Sequence, residues 1–248
     1  MSPRSPHVLL VPGAWMGGWI WEPTVARLRK HGVDAATLTL AGLEAGTLAE
    51  RRGTVRLQDH VDQVLTHLTE TGADSVVLVG HSYSGMIVAQ VADQLREKVA
   101  CSIHFGSFLP SEGHSLIDGF GATEGERAAE RSGIVAAGYQ WAPPPAAALD
   151  FETGLASGER RYLLERFVPH PGRTVLDPAV LKQPVVVQNG VYVTARKEDV
   201  PAALQEADAP NWRTVPLASG HWPMLERPLD VVDLRDCADR KIQGATVG

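Results

Sequence analysis

Short, dense apolar runs alternate along this chain with stretches in which apolar residues recur every three or four positions. The first pattern reads as buried strands and the second as amphipathic helices. Val8 to Val11 form a first buried strand, after which Trp21, Val25 and Leu28 recur at helical spacing until Gly32 ends the segment. Residues 35–40 read as a second strand, and Val61, Val64, Leu65 and Leu68 mark the next helical face, closed by Gly72. Residues 75–79 are apolar throughout after Ser75, as a central parallel strand buried on both faces should be. A helix over 84–95 and a strand over 100–105 follow.

The pattern then loosens. Residues 110–183 hold glycines, acidic clusters and a Pro-Pro-Pro-Ala-Ala-Ala run at 143–148, with helical pieces such as 161–167 but no strong strand. Strands resume at 191–195 and 212–217, where Pro216 suggests an edge or a strand end. Alternating strand and helix predicts an α/β fold with a mostly parallel central sheet and helices on both faces. The irregular stretch is too small for a core of its own. The expectation is therefore one domain over residues 1–248, with 110–183 inserted as a helical cap or lid.

The strand-to-helix junction at 79–85 carries the first candidate chemistry. Gly80-His81-Ser82-Tyr83-Ser84-Gly85 follows a clean strand and precedes a clean helix, the context of a nucleophile elbow that strains a serine and exposes its hydroxyl. Ser84 stands where Gly-x-Ser-x-Gly has its second glycine, and it is small enough for helix and strand to approach. Ser82 is thus the expected nucleophile, and it needs a base to take its proton. In this fold the base comes late in the chain, and His221 in Ser219-Gly220-His221-Trp222-Pro223 lies beyond a late strand. His81, His104 and His114 read as structural or pocket-lining, His81 being counted with the pocket, and His170 falls in the cap.

The acid should follow the 191–195 strand, where Glu198 and Asp199 are available. Glu198 is narrowly preferred, because Asp199 precedes Val200-Pro201 and could cap the next helix instead. Two backbone donors should hold the oxyanion: Tyr83, directly after the nucleophile, and Ala14, in the loop Pro12-Gly13-Ala14-Trp15 after the first strand. Trp15 is a candidate pocket residue, whereas Trp19 and Trp21 suit packing of the first helix.

Several of these pieces together resemble the α/β-hydrolase superfamily, within it the small esterases related to plant methylesterases and hydroxynitrile lyases. The matching residues are Val11-Pro12-Gly13-Ala14-Trp15 with Gly18-Trp19-x-Trp21, the serine turn, Phe108-Leu109-Pro110, and Gly220-His221-x-Pro223-Met224-Leu225-Glu226-x-Pro228. Three positions depart from that pattern. Pro12 replaces a frequent histidine, Ser84 replaces the usual glycine, and Lys197 stands where an aspartate is expected four residues before Pro201.

Composition narrows the reading further. Of 248 residues, 44% are hydrophobic and 21% charged, the balance of a globular protein with a substantial core. A net charge of -6 argues against a nucleic-acid partner. Only Cys101 and Cys237 are present, too few for a disulfide scaffold, so two thiols in a reducing compartment are expected. The apolar run after residue 6 is broken by Pro12 and Gly13, short of a signal peptide or the ~20 residues of a spanning helix. A cytoplasmic protein is expected. It would act on a small-molecule substrate, with no nucleic acid and no membrane, and a homodimer is left open.

The leading expectation is a serine hydrolase, using no cofactor and no metal, that cleaves a small carboxylic ester or lactone through an acyl-enzyme on Ser82. A lyase or cyclase of secondary metabolism on the same fold, with His221 as acid/base and Ser82 positioning substrate, is the alternative. A ligand-binding receptor with a vestigial triad is the third class.

Overall fold

The structure is a computed structural model describing residues 5–152, 154–206 and 209–228. Six strands form its parallel sheet: β1 (His7–Val11), β2 (Ala35–Thr37), β3 (Val76–His81), β4 (Val99–Phe105), β7 (Gly190–Thr194) and β8 (Trp212–Pro216). Their order is β2-β1-β3-β4-β7-β8, so β3 sits near the middle, with β1 and β4 as its direct neighbours. The sequence-based strands fall on these six elements. The second is shorter than expected, and the third runs on through Gly80 and His81. Pro216 ends β8, an edge strand, where a missing N–H interrupts no further ladder.

The strand residues divide by alternation. Val8 and Leu10, Val77 and Val79, Ile103 and Phe105, Val191 and Val193 point into one apolar layer. Leu9 and Val11, Val76 and Leu78 point into the other. A period of two thus feeds two cores, which is why these runs are apolar at every position. The second layer is covered by α3 (Leu57–Thr71), whose Val61, Val64 and Leu68 are buried, and by α4 (Gly85–Gln94). The first is covered by α1 (Glu22–Lys30), through Val25 and Leu28, with Trp21 fully buried at its N-terminus. A short α2 (Ala49–Arg52) precedes α3. Cys101 is buried in the first layer, and Cys237 lies outside the described residues, as do residues 1–4.

Between β4 and β7 the chain leaves the sheet. It forms α5 (Glu124–Ala136), α6 (Ala146–Leu149), α7 (Ser157–Leu164) and α8 (Arg173–Leu176), with a two-stranded antiparallel pair, β5 (Gln140–Trp141) and β6 (His170–Pro171). These two-residue strands carry too few alternations to register in the sequence pattern. Two short helices, α9 (Ala202–Glu206) and α10 (Pro223–Glu226), follow β7 and β8. Among the described residues no helix is long and apolar enough to cross a membrane.

Candidate active site

Ser82 sits immediately beyond β3 with φ of +53°, a left-handed conformation that a side chain other than glycine adopts only under constraint. The constraint is local packing. A Cβ on Gly85 would lie 2.2 Å from the Phe108 carbonyl oxygen, so α4 starts hard against the chain leaving β4. The Phe108 N–H donates to the Ser82 carbonyl at 3.1 Å, tying the elbow to the same segment.

Ser84 does more than fit. Its fully buried Oγ accepts the His81 N–H at 2.7 Å and lies 2.8 Å from the Val11 carbonyl, to which it donates. The elbow is therefore stitched to the end of β1, from which the Pro12-Gly13-Ala14 loop departs. A glycine could do neither.

The loop after β1 makes a second tight approach. A Cβ on Gly13 would be 2.7 Å from His81 Nδ1, so Gly13 is required where loop and elbow meet. Ala14 is buried, and its N–H has no acceptor among the described residues. Trp15 follows with φ of +64°. Its ring is half-buried against Trp141 at 4.4 Å and Phe167 at 6.4 Å between centroids. Trp19 packs edge-on to Tyr162 at 5.3 Å, and Trp21 is part of the core.

His221 comes from the loop after β8. Its half-buried ring lies 4.8 Å from the His81 ring and 5.0 Å from Trp222. His81, expected at the pocket wall, lies beneath it: its side chain is fully buried, and its Nε2–H donates to the His221 carbonyl at 2.7 Å. Burial pushes the His81 imidazole down to about 3, and neighbouring His221 pushes the same way, so the ring stays neutral. Burial also lowers His221 below the usual histidine value, opposed by the negative charge of Glu152. Ser82, His221, Ala14 and Tyr83 are thus gathered at the C-terminal ends of the central strands, where open α/β sheets bind ligands.

The carboxylates are distributed differently. Asp199 is exposed and paired with Arg196 through two hydrogen bonds of 2.8 and 2.9 Å, and Glu198 is exposed. Neither has a hydrogen bond to His221. Asp199 does line a groove of about 990 Å3, together with His221, Gly106, Glu152, Arg196 and Glu226. Glu152, from the segment between β4 and β7, accepts the His221 N–H at 3.0 Å. Glu226 accepts the Gly220 N–H at 2.7 Å. Glu152 gave no sequence signal, because it stands in an irregular stretch with no strand end before it.

A buried polar cluster behind the elbow is the other feature that sequence reasoning did not assemble. The Tyr83 hydroxyl donates to His60 Nδ1 at 2.8 Å, and His60 Nε2–H donates to the Ala41 carbonyl at 2.8 Å. His170, placed in the cap by its position, packs its ring against Tyr83 at 4.4 Å between centroids. His104 is buried on β4 beside Trp212, and His114 is exposed on a loop. No group of three or more histidine, cysteine, aspartate or glutamate side chains that could hold a metal occurs among the described residues.

Residues 8–234 match the alpha/beta hydrolase family. The chain is 31% identical to a carbendazim hydrolyzing esterase of Nocardioides sp. (strain SG-4G) over 245 residues, covering 92% of this chain and 97% of that one. It is 30% identical to methylesterase 8 of Arabidopsis thaliana over 111 residues, covering 44% of this chain and 40% of that one. Among solved structures it is similar to an extracellular alpha/beta-hydrolase from a Paenibacillus species. The TM-score there is 0.78 at 18% identity, covering 94% of this chain and 99% of that one. A serine held in a left-handed turn between β3 and α4, on a parallel sheet whose sequence matches nearly end to end, is the family's signature: the chain belongs to the alpha/beta hydrolase family.

Proposed function

We propose that this protein is a serine esterase acting on a small carboxylic ester or lactone. The observation that carries the reading is Ser82 at φ of +53° at the end of β3, in a chain whose relatives include named esterases. Ser82 Oγ attacks the carbonyl carbon while His221 takes its proton. The amides of Ala14 and Tyr83 hold the oxyanion of the tetrahedral intermediate. Collapse expels the alcohol, which takes the proton back from His221 and leaves an acyl group on Ser82. Water, deprotonated by His221, then attacks the acyl carbon and releases the acid.

The carboxylate partner of His221 is proposed among three residues. Glu198 and Asp199 follow β7, the usual place for it, and Asp199 lines the groove beside His221. Glu152 is supported by its hydrogen bond to the His221 amide and by its charge. Residues 110–183 act as a cap, a reading supported by the contacts of Trp15 with Trp141 and Phe167. The chemistry uses no cofactor, and the proposed setting is a cytoplasmic enzyme with a small-molecule partner.

Mass spectrometry after a fluorophosphonate probe tests the reading. Labelling at Ser82 that disappears in His221→Ala is expected. An active protein that stays unlabelled at Ser82 sinks it.

A further inference from the structure

Three hydrogen bonds hold Trp15, and all three come from the segment between β4 and β7. The Trp15 N–H donates to His170 Nδ1 at 3.3 Å, and the Trp15 carbonyl accepts the Val168 N–H at 3.1 Å. The indole N–H donates to the Trp141 carbonyl at 3.1 Å. Trp15 directly follows Ala14, one of the two proposed oxyanion donors, and it is held at φ of +64°. A bulky residue in that region is strained by about 1 kcal/mol or more, so it stays there only while its surroundings enforce it.

The hydrogen-bond partners of His170 fix its protonation. A backbone N–H can only donate, so Nδ1 must be bare, and the single proton of the neutral ring sits on Nε2. That proton goes to Thr174 Oγ1 at 2.9 Å, and the Thr174 hydroxyl donates onward to the Pro171 carbonyl at 2.7 Å. Burial, with neighbouring His60 and the positive charge of Arg52 pushing the same way, keeps His170 well below the ordinary histidine range. Its ring also packs on Tyr83, the residue carrying the other proposed donor, whose hydroxyl is in turn held by His60.

We propose that His170 is a positioning residue for the oxyanion hole. As an obligate acceptor it locks the left-handed Trp15 turn and so aims the Ala14 amide, while its ring braces Tyr83. The proposal rests on the Ser82 mechanism, since it concerns where the oxyanion of that mechanism is held. His170 acts through Ala14 and Tyr83 and needs no contact with substrate.

The test compares two ketones of the same shape. 2,2,2-Trifluoroacetophenone adds to a serine and forms a tetrahedral oxyanion, whereas acetophenone binds only as a ground-state ligand. His170→Phe fills the space without an acceptor. It should lower kcat/KM for p-nitrophenyl acetate about tenfold or more and weaken the trifluoroketone by a similar factor. Acetophenone binding should stay within about twofold, because only oxyanion interactions are lost. His170→Asn, whose side-chain oxygen can replace Nδ1 as acceptor, should restore most of both. If His170→Phe does not fold, Thr174→Val removes the acceptor that fixes the tautomer and should show the same split on a smaller scale. Unchanged trifluoroketone affinity in the soluble variant, or equal weakening of both ketones, overturns the proposal. A wild-type enzyme that does not distinguish the two ketones overturns the Ser82 mechanism itself, and the His170 proposal with it.

Discussion

His81 and His221 meet through one hydrogen bond, from His81 Nε2–H to the His221 carbonyl at 2.7 Å, with their rings 4.8 Å apart. The residue before the proposed nucleophile thereby holds the loop that carries the proposed base. A carbonyl only accepts, so the His81 proton must be on Nε2. Nδ1 is bare and buried with no partner, facing the position where a Cβ on Gly13 would clash. One buried imidazole thus touches the loop after β8 and the loop after β1 together.

Replacing His81 should therefore loosen the base without touching substrate. His81→Phe is expected to lower kcat/KM by about ten- to a hundredfold, and stability by about 1–3 kcal/mol as the His221 carbonyl loses its donor. His81→Gln, which can still present a donor, should recover part of the activity. Steady-state kinetics and urea denaturation on the same preparations check this; equal activity in the Phe and Gln variants counts against it.

Ser84 offers a test that runs against the family pattern. Its hydroxyl joins the His81 N–H to the Val11 carbonyl, both buried. Ser84→Gly restores the common residue of the motif, yet it should destabilise by about 1–3 kcal/mol, because a buried N–H loses its acceptor. Ser84→Ala should cost about as much. A glycine variant as stable as the parent in chemical denaturation would show that the stitch contributes nothing.

The acid limb of the pH–rate profile separates the carboxylates. His221 must be neutral to act as base, and burial lowers its pKa, so activity should persist below pH 6.5 before falling. Glu152 opposes that shift. Glu152→Gln should move the limb to still lower pH and reduce the plateau several-fold. The other groups near His221 are His81, the Glu226 carboxylate on the Gly220 amide, Arg227 on the Ala218 carbonyl, and the Arg196–Asp199 pair across the groove. Glu198→Gln and Asp199→Asn are the controls. A shifted limb or a large activity loss in one of them, with Glu152→Gln unchanged, assigns the role to that residue instead.

Buried histidines make stability depend on pH with a definite sign. Burial lowers His60 to about 4 and His81 and His104 to about 3, and His170 lies well below its ordinary value. Between those values and pH 6.5 the unfolded chain binds protons that the folded chain does not. Their contribution is therefore complete above pH 6.5 and is lost as pH falls toward the folded values. Each proton contributes about 1.4 kcal/mol per pH unit, so these four together give a slope of about 5 near pH 5. Urea unfolding at pH 7, 6 and 5 measures it. His104→Asn should lower the slope by about one proton, and a total slope under two protons contradicts the assignment.

The sheet was legible in the chain because parallel strands buried on two faces need unbroken apolar runs, and Val76 to Val79 supply one. Ser82 was legible for a related reason. A sharp turn between a buried strand and a packed helix restricts the positions two before and two after the serine, Gly80 and Ser84, to small residues, which leaves a mark in the letters. His221 was singled out by its place after the last strand, and the structure sets its ring 4.8 Å from that of His81. These are local requirements, met by residues close together in sequence, and the sequence by itself determined them.

The tertiary structure alone decided what lies across the chain. Glu152 reaches the His221 amide from 69 residues away, and His170 reaches Trp15 from 155. Ser84 reaches the Val11 carbonyl from 73 positions away. No periodicity records such contacts, since each depends on which distant segments the fold brings side by side. In the charged stretch after β7, whose spacing suggests a triad acid, packing decides that Asp199 pairs with the exposed Arg196 three residues before it. A single residue's chemistry can be read from sequence; which group it faces is settled by packing.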